Sequence, residues 1–202
     1  MKILVTGNNG SLGRTLTTLL DSKGIRWVGT DGYDLTQPME VKELFEKNID
    51  ISIVVHLAAV QNSDPDVFQK NVAMMENILR YNKGKARIIF ASTNVLYGNI
   101  CVERAKQNEN LRFGDSRKTE LATEKDPTIP TSKYGASKLA CENLLKIANL
   151  TDHIDYTILR FCAIVGPNTR FGAFKDLYEK VKGNQTVRAF GYMPGSKKNF
   201  LH

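Results

Sequence analysis

Tyr134 and Lys138 lie four residues apart in the run Lys133-Tyr134-Gly-Ala-Ser-Lys138. On a helix that spacing puts both side chains on one face. A phenol beside an ammonium is an acid–base pair: the cation favours the phenolate and draws the tyrosine pKa down from about 10. Such a tyrosine can take or return a proton on an alcohol or sugar hydroxyl near neutral pH. A Tyr/Lys pair alone is commonly just the polar face of an amphipathic helix, so it needs supporting chemistry. Ala91-Ser92-Thr93-Asn-Val-Leu-Tyr97-Gly98 supplies it, at the end of an apolar run over 86–92 that reads as a strand. Ligands in parallel sheets sit at the carboxyl ends of strands, where Thr93 can hydrogen-bond a reacting oxygen.

A second chemical signal opens the chain. Lys2-Ile-Leu-Val-Thr6 is a short apolar run with β-branched residues and reads as a buried parallel strand. Gly7-Asn-Asn9-Gly10-Ser11-Leu12-Gly13 follows, and Leu12, Leu16, Leu19 and Leu20 then recur at helical spacing. Glycines on a strand-to-helix turn have separate uses: Gly7 for a tight turn, Gly10 for backbone approach to a pyrophosphate, Gly13 for close packing of the helix. The helix N-terminus then offers N–H groups to phosphate. The spacing is G-x-x-G-x-x-G, one residue longer than the common dinucleotide motif. The second strand, read over 24–30, ends at Asp31, near the offset of about 20 residues at which an acid accepts from the adenosine ribose hydroxyls. No arginine follows Asp31, so a 2′-phosphate would meet only negative charge. These residues point to NAD rather than NADP.

The elements that must position these groups follow from periodicity. Strand and helix patterns alternate, which predicts α/β with a Rossmann-type parallel sheet flanked by helices. A helix is expected from Pro38, with Thr36 or Gln37 near its cap. A buried strand follows over 51–59. A helix over 66–82 turns Val67, Asn71, Met74, Met75 and Ile78 inward or to an interface. A helix over 134–150 carries Leu139, Leu144, Leu145 and Ile147, and a last strand runs over 155–160. Between Asn99 and Ser132 the chain is long, polar and weakly periodic, which predicts a surface loop near the site.

The 202 residues suffice for one substantial core. No apolar run is long enough to span a bilayer, and no signal peptide is evident. Three widely spaced cysteines, Cys101, Cys141 and Cys162, suit free thiols and a cytoplasmic setting. No residue spacing suggests a metal site. Net charge is 28 − 21 = +7, with seven basic side chains between Arg170 and His202 against Asp176 and Glu179. A basic C-terminal third suits an anionic substrate such as a diphosphate, with Arg170 as a candidate contact. It lacks the aromatic interleaving of a nucleic-acid surface.

Five blocks in order resemble the extended short-chain dehydrogenase/reductases, the NAD-dependent epimerase/dehydratase family. They are Thr6-Gly7-Asn-Asn-Gly10-Ser-Leu-Gly13, Val55-His56-Leu57-Ala58-Ala59, Ser92-Thr93 with Tyr97-Gly98, Pro130-Thr-Ser-Lys-Tyr134-Gly-Ala-Ser-Lys138, and Leu159-Arg160 with Gly166-Pro167. The resemblance implies that Leu57, Ala58 and Ala59 line a cofactor trough after the fourth strand. It implies that Thr93, Tyr134 and Lys138 form the catalytic group, and that Lys138 also holds the nicotinamide ribose. Asn71 is implied near the cofactor, and Tyr97 beside a substrate sugar. Relatives pair the helices matching 66–82 and 134–150 in a homodimer, where Met74, Met75, Leu144 and Ile147 would supply apolar surface.

Departures bear on the substrate. Dehydratases of the family carry Asp-Glu where this chain has Asn94 and Val95, so no acid stands there to protonate a leaving hydroxyl. Many epimerases carry Asn where this chain has Ala163. The implied organisation is a cofactor domain over 1–166 and, over 167–202, the start of a substrate lobe that is otherwise largely missing. The implied activity is nucleotide-sugar epimerisation. A sugar-nucleotide reductase or dehydrogenase, or a non-catalytic dinucleotide-binding module, remains the alternative.

Overall fold

The computed structural model describes residues 1–61, 63–83, 86–98, 100, 122–162, 164–166 and 173–186. Cys101, most of the polar stretch after Asn99, Ala163, Arg170 and everything from 187 onward lie outside the described residues.

Five strands form one all-parallel sheet: β1 (Lys2–Thr6), β2 (Trp27–Val28), β3 (Ile51–His56), β4 (Arg87–Thr93) and β5 (Tyr156–Phe161). Their order is β2-β1-β3-β4-β5. The chain steps to one side of β1 for β2 and to the other side for β3. The order therefore reverses between β1 and β3, and the crevice outside the carboxyl ends of those strands is where ligands enter such sheets.

The faces are set by side-chain alternation. Ile3 and Val5 point to one face, where Leu16 and Leu20 of α1 (Ser11–Ser22) cover them. Leu4, Val54, Ile88 and Phe90 point to the other, under α2 (Pro38–Lys47), α3 (Val67–Asn82) and α4 (Lys133–Asp152). Val41, Leu44, Met75, Ile78, Cys141 and Leu145 fill that larger core. Pro38 opens α2 at the first helical position, where its missing N–H costs nothing, and Gln37 precedes it. Ser132 caps α4, its hydroxyl accepting from Gly135 N–H at 3.0 Å.

Three expectations change. The second strand pairs only Trp27 and Val28 with β1; two residues beyond them Thr30 N–H is taken by the Asn8 side chain of the glycine turn. The strand before Leu57 is third in the chain, not fourth, and ends at His56. Met75 is 0% exposed and belongs to the core, so it is unavailable to a partner. The outward apolar residues of α4 are instead Ile147 and Leu150, 56% and 78% exposed.

The chain divides into two compact units, 1–98 with 125–162, and 99–124 with 163–202. The first holds the whole sheet. The second contains α5 (Ala173–Lys182), whose surface carries an i,i+4 Lys175–Glu179 ion pair. Among the described residues no helix is long and apolar enough to cross a membrane, and no cluster of ligating side chains could hold a metal.

Candidate active site

The glycine turn lies at the mouth of the crevice between β1 and β3. Gly7 has φ +66°, and a Cβ there would stand 2.7 Å from Ala58 N. A Cβ on Gly13 would stand 2.2 Å from Gly7 O. Glycine is thus required twice: once for a left-handed backbone against the β3 loop, once so that α1 can seat on the turn. Gly10 is the exposed N-cap of α1; no side chain caps the helix and no acid stands in its first turn. Ser11 and Leu12 follow as its first helical residues, both half-buried. An uncapped helix start with a bare glycine fits a pyrophosphate.

The opposite wall is Leu57, Ala58 and Ala59. These residues leave the sheet because Thr6 captures their backbone: its hydroxyl oxygen accepts from Leu57 N–H and Ala58 N–H, both at 3.1 Å. With both lone pairs used, the single hydroxyl hydrogen is directed to His56 Nδ1, 2.7 Å away. His56 is therefore neutral, carrying its proton on Nε2, and burial holds its pKa down at about 3. It stacks on Phe90, ring centroids 5.6 Å apart. Asn71 pins the far end of the wall. Its amide accepts from Val60 N–H at 2.8 Å and donates to Val60 O and the Ser137 hydroxyl, so it shapes the trough from behind.

Tyr134 and Lys138 project from the first turns of α4. Lys138 is 2% exposed and donates to Ala91 O at 2.9 Å. Its ammonium lies 4.7 Å from the Phe90 ring centre and 5.7 Å from that of Tyr134. Burial lowers its pKa to about 8. Tyr134 departs from expectation: burial raises its pKa, a hydrogen bond with Gln61 opposes the rise, and the Lys138 ammonium does not reverse it. Helical spacing reveals the neighbouring cation but not the loss of water around the phenol. Thr93, buried at the end of β4, accepts from Val95 N–H at 3.3 Å and keeps its hydroxyl hydrogen for another partner.

Beneath this group is a charged network that the sequence did not reveal. Glu142, one turn beyond Lys138, is 0% exposed. It accepts from the Ser92 hydroxyl at 2.6 Å and takes a two-pronged contact from Arg160, Nε at 3.0 Å and Nη2 at 2.7 Å. Arg160 Nη1 donates to the Tyr97 hydroxyl at 2.8 Å. Tyr97 was expected to border a sugar; its hydroxyl is held by Arg160, which stacks 5.2 Å from its ring centre. An acid on the core face of a helix, with an arginine in the following strand, was the available signal.

The glycine turn, the Thr6-held wall and the Tyr134/Lys138 helix converge at the strand ends. A protein-family model matches residues 3–192: the NAD dependent epimerase/dehydratase family. This chain belongs to that family. A curated relative, the GDP-6-deoxy-D-talose 4-dehydrogenase of Aggregatibacter actinomycetemcomitans, is 31% identical over 157 residues, 72% of this chain and 47% of the relative. The UDP-glucuronic acid 4-epimerase of Bacillus cereus, solved in complex with NAD, is 26% identical with a TM-score of 0.70, over 92% of this chain and 64% of that one. The UDP-glucose 4-epimerase of Thermus thermophilus, also solved with NAD, shares the fold at a TM-score of 0.75 and 24% identity, over 93% and 64%. The chain thus spans about half to two thirds of the length of these family members.

Asp31, the candidate ribose acceptor, sits in a prepared position. Asn8 Nδ2 donates to its Oδ2 at 2.8 Å, and Asn9 Nδ2 donates to its Oδ1. The turn, the uncapped helix start, the wall and this carboxylate fit a dinucleotide.

Proposed function

We propose that this chain is the cofactor-binding and proton-transferring part of an NAD-dependent enzyme acting on a sugar nucleotide, with epimerisation as the leading activity. The observation that carries this reading is the Tyr134/Lys138 pair at the start of α4: Lys138 donates to Ala91 O near the end of β4, its ammonium lies 5.7 Å from the Tyr134 ring centre, and Tyr134 hydrogen-bonds Gln61, just beyond the Leu57–Ala59 wall.

Asn9 and Gly10 of the turn, with Ser11 and Leu12 in the first turn of α1, would hold the pyrophosphate; Asp31 would accept from the adenosine ribose. Lys138 would donate to the nicotinamide ribose, and Leu57, Ala58 and Ala59 would exclude water along the trough. NAD, when bound, supplies reversible hydride transfer at a sugar carbon. Thr93 would hydrogen-bond the reacting oxygen, while the Tyr134 hydroxyl moves its proton. With its pKa raised, Tyr134 is protonated at neutral pH, ready to donate to a carbonyl oxygen. The reverse direction requires the phenolate, which the Lys138 ammonium favours.

A simple dehydrogenase or reductase on a similar substrate is the second reading: the 31% identical dehydrogenase supports it, and the protonated phenol suits its reductive direction. Association through the outward faces of α3 and α4, including Ile147 and Leu150, is part of the proposal.

The test is to incubate the chain with NAD and UDP-, dTDP- or GDP-sugars, following both NADH and sugar identity. Epimerisation interconverts sugars without accumulating NADH; dehydrogenation accumulates it in step with product. Tyr134→Phe should abolish either while leaving NAD affinity within about twofold, because it removes only the hydroxyl. Near-normal turnover by Tyr134→Phe would remove Tyr134 from the proposal. Absence of turnover by the wild-type chain would leave a dinucleotide-binding module.

A further inference from the structure

Asn8 lies in the glycine turn, and its side chain is committed to the end of the second strand rather than to the turn itself. It is 6% exposed. Its Oδ1 accepts from Thr30 N–H at 3.1 Å, and its Nδ2 donates to Asp31 Oδ2 at 2.8 Å. The first contact fixes the second. An N–H must meet an oxygen, so the amide cannot flip, and its NH2 is committed to the Asp31 carboxylate. Gly29 completes the seat: a Cβ there would stand 2.8 Å from the Asn8 amide.

The consequence is a count of acceptor sites. A carboxylate has about four lone-pair positions, two on each oxygen. Asn8 takes one on Oδ2 and Asn9 takes one on Oδ1. One remains on each oxygen, and the two oxygens of one carboxylate are neighbours. Two adjacent acceptors match two adjacent donors, the vicinal diol of a ribose.

We infer that Asn8 is a positioning residue that determines specificity for the adenosine ribose diol. It does so by locking Asp31 in the orientation that reads both hydroxyls. The inference rests on the dinucleotide reading above and assigns a part of it to a residue that need not touch the ligand. Asn9, exposed on the same carboxylate, lacks a second anchor of this kind and contributes less.

The experiment measures dissociation constants for NAD and for its analogue lacking the adenosine 2′-hydroxyl, by calorimetry, with no turnover required. Wild-type chain should bind NAD about tenfold more tightly than the 2′-deoxy form, the size of one hydrogen bond to a charged acceptor. In Asn8→Ala that ratio should fall to within about twofold of one. Asn8 has no positive φ, so alanine enters without backbone strain. Asn8→Asp is the second variant. It keeps the acceptor for Thr30 N–H but sets a carboxylate against Asp31, and it should collapse the ratio in the same way. A purely structural role would weaken both ligands equally and leave the ratio unchanged. Preservation of the ratio in both variants, or a wild-type ratio near one, would overturn the inference alone. Failure of the wild type to bind either ligand would overturn the dinucleotide reading as well.

Discussion

Replacing Arg160 with methionine strands a carboxylate. Glu142 is 0% exposed and takes both Arg160 contacts, at 3.0 and 2.7 Å, leaving only the Ser92 hydroxyl if they are lost. Breaking a buried pair from one side costs about 3–5 kcal/mol, because the remaining charge is neither solvated nor paired. The two sides are not equivalent. The Arg160 side chain is 15% exposed and also contacts Tyr97, so Glu142→Leu leaves a cation that can still reach water and a phenol. Arg160→Met should therefore destabilise more than Glu142→Leu. The double replacement should cost less than Arg160→Met alone, because the stranded charge is gone. For a chain of this size, about 2–4 °C of Tm accompanies each kcal/mol, so Arg160→Met should lose about 6–20 °C. Urea denaturation of the four proteins gives the comparison. A Glu142→Leu protein less stable than Arg160→Met, or a double variant as unstable as the two losses summed, would refute the reasoning.

Lys138 makes stability depend on pH in a defined window. Its folded pKa, about 8, lies below the ordinary 10.5, so between those values the unfolded chain holds a proton that the folded chain has shed. Stability then rises with pH, about 1.4 kcal/mol for each pH unit and about 3 kcal/mol across the window. Lys138→Met should lack that rise in denaturation series from pH 7.5 to 10.5; an identical slope in both proteins would remove the buried-ammonium account. Ile147→Glu, on an exposed position, should leave thermal stability within about 0.5 kcal/mol of wild type. If α4 forms part of an interface, it should also shift sedimentation toward monomer, and an unchanged dimer would move the interface elsewhere.

The parts of this site that were legible in sequence are local. The glycine turn is a seven-residue pattern between a strand and a helix. Tyr134 and Lys138 are one helical turn apart, and Asp31 stands at a fixed offset. The contacts that sequence does not mark join residues distant along the chain: Thr6 with His56, Asn8 with Asp31, Glu142 with Arg160. No periodicity marks such pairs, since each member reads singly as an ordinary polar residue until the fold sets them opposite one another. The same limit explains two errors of degree. Residues 24–30 carry strand-forming side chains, yet the contact from Asn8 to Thr30 N–H takes over where sheet pairing would continue. Met75 sits on a helix that also carries polar buried residues, and only packing decides that it is inside. The Tyr134 pKa went the other way because proximity to Lys138 is legible in spacing, whereas burial is a property of the assembled site.

The central claim is that the crevice between β1 and β3 holds NAD through Asp31 and the glycine turn. Titration of the chain with NAD and with NADP tests it most directly. NAD should saturate a single site per chain, with NADP at least about tenfold weaker, because a 2′-phosphate removes one donor to Asp31 and sets two negative charges together. Asp31→Ala should erase most of that preference. Absence of NAD binding, or NADP binding as tight as NAD, would contradict the account.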